Sequence, residues 1–411
     1  MTALVRAIAA LGLVFVTWLL WGSQSRDETM RAPMVRTAVK HPWLVVGAMA
    51  SAAVVLGALM VISGVASIKA SSGHWPITAA FLDFAKTRSV ATHSWGTKAP
   101  PLEDEAMVVR GAGHYETACV SCHGGPGRGI PPVVRAMTPP PPPEFADRLA
   151  RWTPEELFTI VKHGIKFTGM PAWPVQQRDD EIWAMVAFLR RMPQLDATEY
   201  QTLVFGATRN GQASQELTRA GDRAPPRAVR EMCSRCHGVT GTGRSGAFPT
   251  LAGQRSDYLN GSLHAFRNGT RFSAIMSEVA AKLDDAAMRE VSAYYEALPA
   301  RVPEQPVREV AAGKGRTIAM HGFPERDIPA CVECHGPATR PKNRSYPRLT
   351  SQHASYLVSQ LLLMQQGRRG GTPNVDLMHV FVKRLRHAEI QHVAEFYATL
   401  PMNAESSAER R

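Results

Sequence analysis

The sequence Cys119-Val120-Ser121-Cys122-His123 places two thiols three residues apart and an imidazole directly after the second thiol. The arrangement returns as Cys233-Ser234-Arg235-Cys236-His237 and as Cys331-Val332-Glu333-Cys334-His335. On a helix, residues i and i+3 lie on one face, so both thiols of each copy point to the same side. The chain contains 6 cysteines, and these copies use all of them. The pattern therefore indicates one chemistry that is repeated three times.

Repeated Cys-x-x-Cys-His predicts covalent attachment of haem c. The two thiols can form thioethers with the vinyl groups of a porphyrin, and the adjacent histidine then binds the iron. Zinc binding would need cysteine pairs to converge, a disulfide framework is unusual in so long a chain, and a redox-active CxxC accounts poorly for three copies. We expect three covalently bound haems c. Their predicted attachment residues are Cys119, Cys122, Cys233, Cys236, Cys331 and Cys334, and their proximal ligands are His123, His237 and His335.

The second and third motifs belong to a duplicated unit. Cys331 follows Cys233 by 98 residues, and the same offset relates further pairs: Pro249 and Pro347, Leu251 and Leu349, Gln254 and Gln352, Tyr258 and Tyr356, and Arg271 and Arg369. Nearer the carboxy end the offset becomes 102, which relates Tyr295 to Tyr397. The first unit is a looser relative and contains the run Pro139–Pro143, which we interpret as a stiff loop over the cofactor.

A methionine recurs at a fixed place in each unit. Met170, Met276 and Met378 each lie 23 residues before a proline that follows an apolar helix, namely Pro193, Pro299 and Pro401. A haem iron bound by one histidine leaves a sixth position, and a thioether there is typical of electron carriers. We predict these three methionines as axial ligands, and Met192, Met232, Met288 and Met364 as packing residues.

Local signals predict helices throughout the units. Thr153-Pro154-Glu155-Glu156 has the pattern of an N-cap with a capping box. Asp179 or Asp180 is expected to cap the next helix, and Asp284 a later one. No segment after the amino-terminal region is typical of a strand, so we predict an all-α fold. Linkers are expected near residues 196–200 and 300–308.

The amino-terminal region contains two apolar stretches, at residues 7–22 and 43–68, and neither holds a charged residue. We predict a transmembrane helix or helix pair here, because the second stretch is long enough to span a bilayer. The basic residues between the two stretches predict that this loop lies in the cytoplasm. Because haem c is attached on the periplasmic side in bacteria, the chain after residue 68 is expected in the periplasm. The predicted organisation is a transmembrane region at 1–70, a juxtamembrane segment at 71–106, and three domains at 107–198, 205–300 and 308–402.

With both predicted ligand types in place, the chain from about residue 107 to 401 resembles three class I cytochrome c domains in tandem. The second and third look like the dihaem cytochromes c of bacterial periplasms. The first looks like the single-haem domains of respiratory oxidases and dehydrogenases, through Thr168-Gly169-Met170-Pro171. The resemblance implies that a carbonyl of Pro249, of Pro347 and of Pro131 in the first unit orients each proximal histidine.

This resemblance implies a membrane-anchored electron carrier of the bacterial inner membrane, with its haem domains in the periplasm, and not an enzyme. The expected partners are redox proteins: a terminal oxidase, a quinol-oxidising complex or a dehydrogenase. The formal charge of +12 favours acidic docking partners, and no basic cluster interleaved with aromatic residues indicates nucleic acid. No small-molecule substrate is expected. The alternatives are a cytochrome subunit of an alcohol or sugar dehydrogenase and, less favoured, a haem peroxidase.

Overall fold

The computed structural model describes residues 42–65, 69, 73–136, 142–143, 145–206, 224–243, 246–299, 309–336 and 343–401. Within these ranges the chain is helical, and β-type pairing is limited to isolated bridges from Gly125 to Arg128 and from Phe323 to Ile328. The predicted all-α fold is confirmed for this part of the chain. The apolar stretch at 7–22 and the predicted linker at 300–308 lie outside the described residues.

The chain divides into two compact regions, an amino-terminal region (Met1–Gly73) and a haem-motif region (His74–Arg411). The described helix of the amino-terminal region is α1 (Pro42–Ile62), and large apolar side chains along it, such as Val54 and Val61, are exposed. Of the helices that the structure describes, none combines the length and the hydropathy needed to cross a membrane.

In the haem-motif region, the segment up to residue 206, which contains the first haem motif, builds one hydrophobic core. Tyr115, Ile182 and Phe188 are fully buried at its centre. Burial of each such side chain contributes about 1.5–3 kcal/mol. The helices around this core are α2 (Pro76–Ser94), α3 (Glu105–Ala118), α4 (Val120–His123), α5 (Pro132–Arg135), α6 (Phe145–Arg148), α7 (Pro154–His163), α8 (Asp179–Arg191) and α9 (Ala197–Phe205), with 3₁₀ turns at Leu149–Arg151 and Met192–Gln194.

The later segments repeat one arrangement. Each has a core around a fully buried tyrosine, Tyr295 or Tyr397, and a smaller cluster beside Met276 or Met378. The helices of residues 224–299 are α10 (Ser234–His237), α11 (Ser256–Arg267), α12 (Ala274–Ala281) and α13 (Asp285–Ala297), after a π-helical turn at Val229–Cys233. Those of residues 309–401 are α14 (Glu309–His321), α15 (Val332–His335), α16 (Ala354–Gln365), α17 (Val375–Val382) and α18 (His387–Thr399), with a 3₁₀ turn at Pro324–Arg326. The sequence duplication therefore corresponds to a duplicated core.

Two helix pairs cross at a glycine. A Cβ atom on Gly111 of α3 would lie 2.0 Å from the carbonyl oxygen of Ala184 in α8. A Cβ atom on Gly315 of α14 would lie 2.1 Å from the carbonyl oxygen of His392 in α18. Real side chains do not fit at such distances, so the close approach of the two backbones requires glycine. Each crossing holds the helix that precedes a haem motif against a helix that closes the same core.

Two predicted helix starts are confirmed. The Thr153 hydroxyl accepts a hydrogen bond from the Glu156 amide, and the Glu156 carboxylate accepts one from the Thr153 amide. The Asp284 carboxylate accepts a hydrogen bond from the amide of Ala287 at 2.7 Å. These caps satisfy amides that have no partner within the helix.

The predicted cap of α8 is wrong. Asp179 and Asp180 are the first two residues of the helix, and neither side chain caps it. The Asp179 carboxylate instead pairs with Lys162 at 2.5 Å and with Arg368 at 3.2 Å, while Asp180 pairs with Arg178 at 2.7 Å. Ion pairs, to distant segments for Asp179 and to the N-cap residue Arg178 for Asp180, therefore replace the predicted cap.

The predicted linker at residues 196–200 is also wrong. Asp196 begins α9 with a capping box that includes Glu199. Tyr200 and Val204 of this helix are 1% exposed and belong to the core of the first segment. The chain therefore remains part of that core beyond the predicted boundary at residue 198.

Candidate haem sites

Each Cys-x-x-Cys-His motif forms one helical turn. The amide of His123 donates to the carbonyl of Cys119 at 2.9 Å, and the amide of His335 donates to that of Cys331 at 3.0 Å. This turn sets the two thiols of a motif side by side and leaves the histidine at its end. A glycine with positive φ follows each histidine and redirects the chain, namely Gly124, Gly238 and Gly336. None of the six cysteines forms a disulfide with another in the structure.

Burial controls the ionisation of the first thiol in each motif. It raises the pKa of Cys119 and Cys233 to about 12 and that of Cys331 to about 11. Burial thus favours the uncharged form of these thiols, and a thioether to a porphyrin is likewise uncharged. The donor set fits covalently attached haem.

The proximal histidines of the repeated segments have the expected backbone partners. Nδ1 of His237 hydrogen-bonds the carbonyl of Pro249 at 3.1 Å, and Nδ1 of His335 hydrogen-bonds that of Pro347 at 2.9 Å. A carbonyl only accepts, so Nδ1 carries the proton and Nε2 presents the lone pair that iron requires. Burial lowers the pKa of His237, which further favours the neutral, metal-binding form.

His123 is held differently. Its ring stacks on Phe145 with centroids 4.4 Å apart and an interplanar angle of 14°. Its Nδ1 has no hydrogen-bond partner among the described residues. The expectation for Pro131 is wrong, because its carbonyl accepts from the amides of Val134 and Arg135 and starts α5. Burial lowers the pKa of His123, and the backbone of Pro143 opposes that shift. The described end of the proline run therefore lies near this histidine, while Pro139, Pro140 and Pro141 are outside the described residues.

The predicted methionines occupy two kinds of position. Met276 in α12 and Met378 in α17 each pack at the edge of a small apolar cluster. Met170 lies in a loop, where its carbonyl accepts from the Ile165 amide at 3.2 Å and its amide donates to the Thr168 hydroxyl at 3.2 Å.

One continuous cavity of about 720 Å³ joins the sites of the two repeated segments. It is lined by the thiols, the histidine and the methionine predicted for each of them: Cys233, Cys236, His237 and Met276, and Cys331, Cys334, His335 and Met378. The predicted residues of the first unit, Cys119, Cys122, His123 and Met170, do not line it. The structure thus brings two of the three predicted ligand sets to one cavity and keeps the third apart.

Two buried arginines lie in the same cavity, and sequence reasoning gave them no role. Arg271 is 6% exposed and donates to the hydroxyl of Tyr356 at 3.2 Å. Arg369 is 5% exposed and donates to the hydroxyl of Tyr258 at 2.9 Å. Burial by itself would raise the pKa of Tyr258, but Arg369 and Arg271 outweigh it and lower that pKa to about 8. Among the described residues, the titratable groups that act on these two guanidiniums are the hydroxyls of Tyr258 and Tyr356 and, for Arg369, the charge of Arg271, and no carboxylate is among them. Buried cations require anions, and the carboxylates of haem have the complementary charge.

The two repeated segments contact each other reciprocally. The Gln352 side chain accepts from the Thr250 amide at 2.9 Å and donates to the Thr250 carbonyl at 3.0 Å. The Gln254 side chain makes the equivalent pair with the backbone of Arg348, at 2.8 Å and 2.9 Å. Each glutamine therefore holds the residue directly after the proline that orients the other segment's histidine. The 98-residue offset relates Gln254 to Gln352 and Thr250 to Arg348. The internal repeat in the sequence therefore marks these positions, but it does not show that they contact each other.

Helical crossings closed by glycine, Cys-x-x-Cys-His turns and carbonyl-oriented histidines define a c-type cytochrome with more than one haem motif. Comparison with known proteins agrees with this class. Residues 106–189 match the family model described as Cytochrome C oxidase, cbb3-type, subunit III.

Three relatives place the chain more closely. It is 36% identical over 187 residues to the thiosulfate dehydrogenase electron acceptor of Thiomonas intermedia (strain K12), covering 45% of this chain and 85% of that protein. It is 41% identical over 172 residues to the protein of the same name from Stutzerimonas stutzeri (strain A1501), covering 41% and 78%. It is 33% identical over 167 residues to cytochrome c4 of Thiocapsa roseopersicina, covering 40% and 85%. The chain belongs to the multihaem class I cytochromes c, which are electron-transfer proteins with covalently bound haem c.

Proposed function

We propose that this chain is a trihaem electron carrier with one haem c at each motif. His123 and Met170, His237 and Met276, and His335 and Met378 serve as the axial pairs. An iron held between an imidazole and a thioether changes oxidation state without binding substrate. The observation that carries the proposal is the cavity in which two complete sets of predicted ligands, each with its proximal histidine oriented by a proline carbonyl, face a common space.

The proposal predicts three haems per chain. A pyridine haemochrome assay on the purified full chain should give about three haems c. The double variant Cys331→Ser/Cys334→Ser should give about two, because both thioethers of one motif are lost. Ser121→Ala, a change between two attachment cysteines, should leave the count unchanged. A wild-type count of two or fewer would refute the trihaem assignment.

The comparisons name two kinds of partner. The alignment to an electron acceptor of a thiosulfate dehydrogenase covers 187 residues of this chain, which is long enough to include two haem units. The match to a cbb3-type oxidase subunit falls on the first unit. We infer that electrons enter the repeated pair from a dehydrogenase and leave through the first unit towards a terminal oxidase.

Stopped-flow spectroscopy tests the proposed entry. The oxidised chain is mixed with a purified thiosulfate dehydrogenase, with and without thiosulfate, and reduction is followed in the haem α-band. Reduction that depends on both enzyme and thiosulfate is expected. An alcohol dehydrogenase with its alcohol is the comparison, and efficient reduction by that enzyme alone would favour the alternative, an acceptor subunit for alcohol or sugar oxidation.

We further propose that the haem units lie on the periplasmic side of the bacterial inner membrane, held there by the amino-terminal region. The supporting features are the uncharged stretch at 43–68 and the exposed apolar side chains of α2, including Ile77, Phe81 and Phe84. Haem staining of fractionated cells tests the location. Recovery of the full-length chain in the cytoplasmic fraction would contradict it.

A further inference from the structure

His114 lies on α3, five residues before the first haem motif. Its side chain is 6% exposed, and its ring meets Trp173 edge-on with centroids 5.5 Å apart. Neither ring nitrogen has a hydrogen-bond partner in the described part of the chain. Buried polar groups in native proteins are normally hydrogen-bonded, so an imidazole in this position is suited to a polar ligand that faces it.

The helix that carries His114 lies against the second haem motif. A Cβ atom on the adjacent Gly113 would lie 3.0 Å from the Phe248 ring, and Phe248 in turn meets the ring of His237 edge-on. Arg235, inside the second motif, donates a hydrogen bond to the Thr117 hydroxyl of the same helix. His114 lines the cavity that contains Cys233, Cys236 and His237. The imidazole of the first unit therefore faces the haem site of the second.

Charged groups of both signs surround His114. Arg110, Arg178 and Arg235 lower its pKa and the Asp180 carboxylate raises it, while Asp104 and Glu181 also line the cavity. Arg178 already holds the Asp180 carboxylate through two hydrogen bonds, at 2.7 Å and 2.8 Å. Burial, followed by Arg110 and Arg178, lowers the pKa of His114 to about 3. An unpartnered imidazole among guanidinium groups is a site for an anion.

We propose that His114 donates a hydrogen bond to a carboxylate of the haem attached to Cys233 and Cys236, so that the first unit completes the haem site of the second. This inference rests on the proposed haem at that motif. The hydrogen bond offsets negative charge close to the iron. It therefore favours the reduced haem and raises its reduction potential.

Spectroelectrochemical titration of the full chain tests this role. His114→Phe keeps the ring shape beside Trp173 and removes the donor, so one of the three midpoint potentials should fall while the other two stay at their wild-type values. His114→Gln keeps an N–H donor of similar reach and should restore that potential. His114→Asn, which is one methylene shorter, should resemble the phenylalanine variant. Unchanged potentials in both His114→Phe and His114→Asn overturn the proposal, as does a His114→Gln shift as large as that of His114→Phe.

A second background identifies the haem concerned. In Cys233→Ser/Cys236→Ser, the His114→Phe change should leave both remaining potentials unaltered. A shift that persists there would mean that His114 acts on another haem, which refutes the inference. Haem counts separate this outcome from failure of the trihaem proposal. The wild-type chain should contain three haems and the Cys233→Ser/Cys236→Ser chain two, and equal counts would show that the second motif carries no haem.

Discussion

Met276→Ala should remove about one third of the weak near-infrared band that marks sulfur ligation of oxidised haem, because one of three thioether ligands is lost. The potential of that haem should fall, since methionine ligation raises it. The reduced variant should bind CO at one haem per chain, because the sixth position is then open. Near-infrared absorption of the oxidised chain and CO difference spectra of the reduced chain measure both effects.

Met288→Ala is the matched control for this experiment. Met288 lies in the apolar cluster against which Met276 packs, and it is fully buried. Its truncation should cost about 2–5 kcal/mol of unfolding free energy through the cavity it leaves, with the near-infrared band intact. A full-strength band in Met276→Ala would reject Met276 as a ligand. Loss of one third of the band in Met288→Ala would indicate that Met288, and not Met276, binds the iron.

Gly315→Ala should destabilise the third unit by about 1–3 kcal/mol or more. The new methyl group would meet the His392 carbonyl oxygen at 2.1 Å and the Cβ atom of Phe396 at 2.8 Å, so α14 and α18 must move apart. Thermal and urea unfolding of the haem-loaded chain measure the loss. A lower midpoint is expected in the transition in which the third haem loses its methionine ligand.

Gly313→Ala, two residues away on the same helix, separates packing from helix propensity. No atom lies within 4 Å of a Cβ placed on Gly313. Alanine there should be neutral or should stabilise the helix by up to about 1 kcal/mol. Equal destabilisation by both substitutions would show that the crossing is not the cause. The equivalent change in the first unit, Gly111→Ala, should behave like Gly315→Ala.

Short-range signals in the sequence predicted local structure well. The Thr153 capping box and the Asp284 cap follow from residues within one helical turn, and the structure contains both. The partners of His237 and His335 lie 12 residues further on and were implied by the family pattern. Asp196 and Glu199 form the same type of capping box as Thr153 and Glu156, so this local signal also indicates a helix where a linker is predicted.

Features that depend on distant segments were not predictable in this way. The local sequence predicts Asp179 as a helix cap, but in the structure its carboxylate pairs with Arg368, which is 189 residues away. Pro131 is a proline shortly after the first haem motif, as expected of a residue that orients the histidine, but its carbonyl accepts hydrogen bonds from the first turn of α5. The pairing of Arg271 with Tyr356, and of Arg369 with Tyr258, became visible only when the two repeats were placed face to face. Local chemistry therefore fixed the motifs, whereas tertiary contacts decided how their surroundings are used.

The reciprocal contact made by Gln254 and Gln352 is self-complementary, as in a closed two-fold dimer. Such a contact joins two copies and leaves no equivalent face for a third, so repetition of this unit ends at two. Because both copies belong to one chain, their association is intramolecular and does not depend on protein concentration. The first unit must attach by other means, and it does so through asymmetric contacts such as those of Glu181 with Ala274 and of Arg235 with Thr117. A symmetric pair with one asymmetric attachment gives the chain a polarity that three identical repeats would lack.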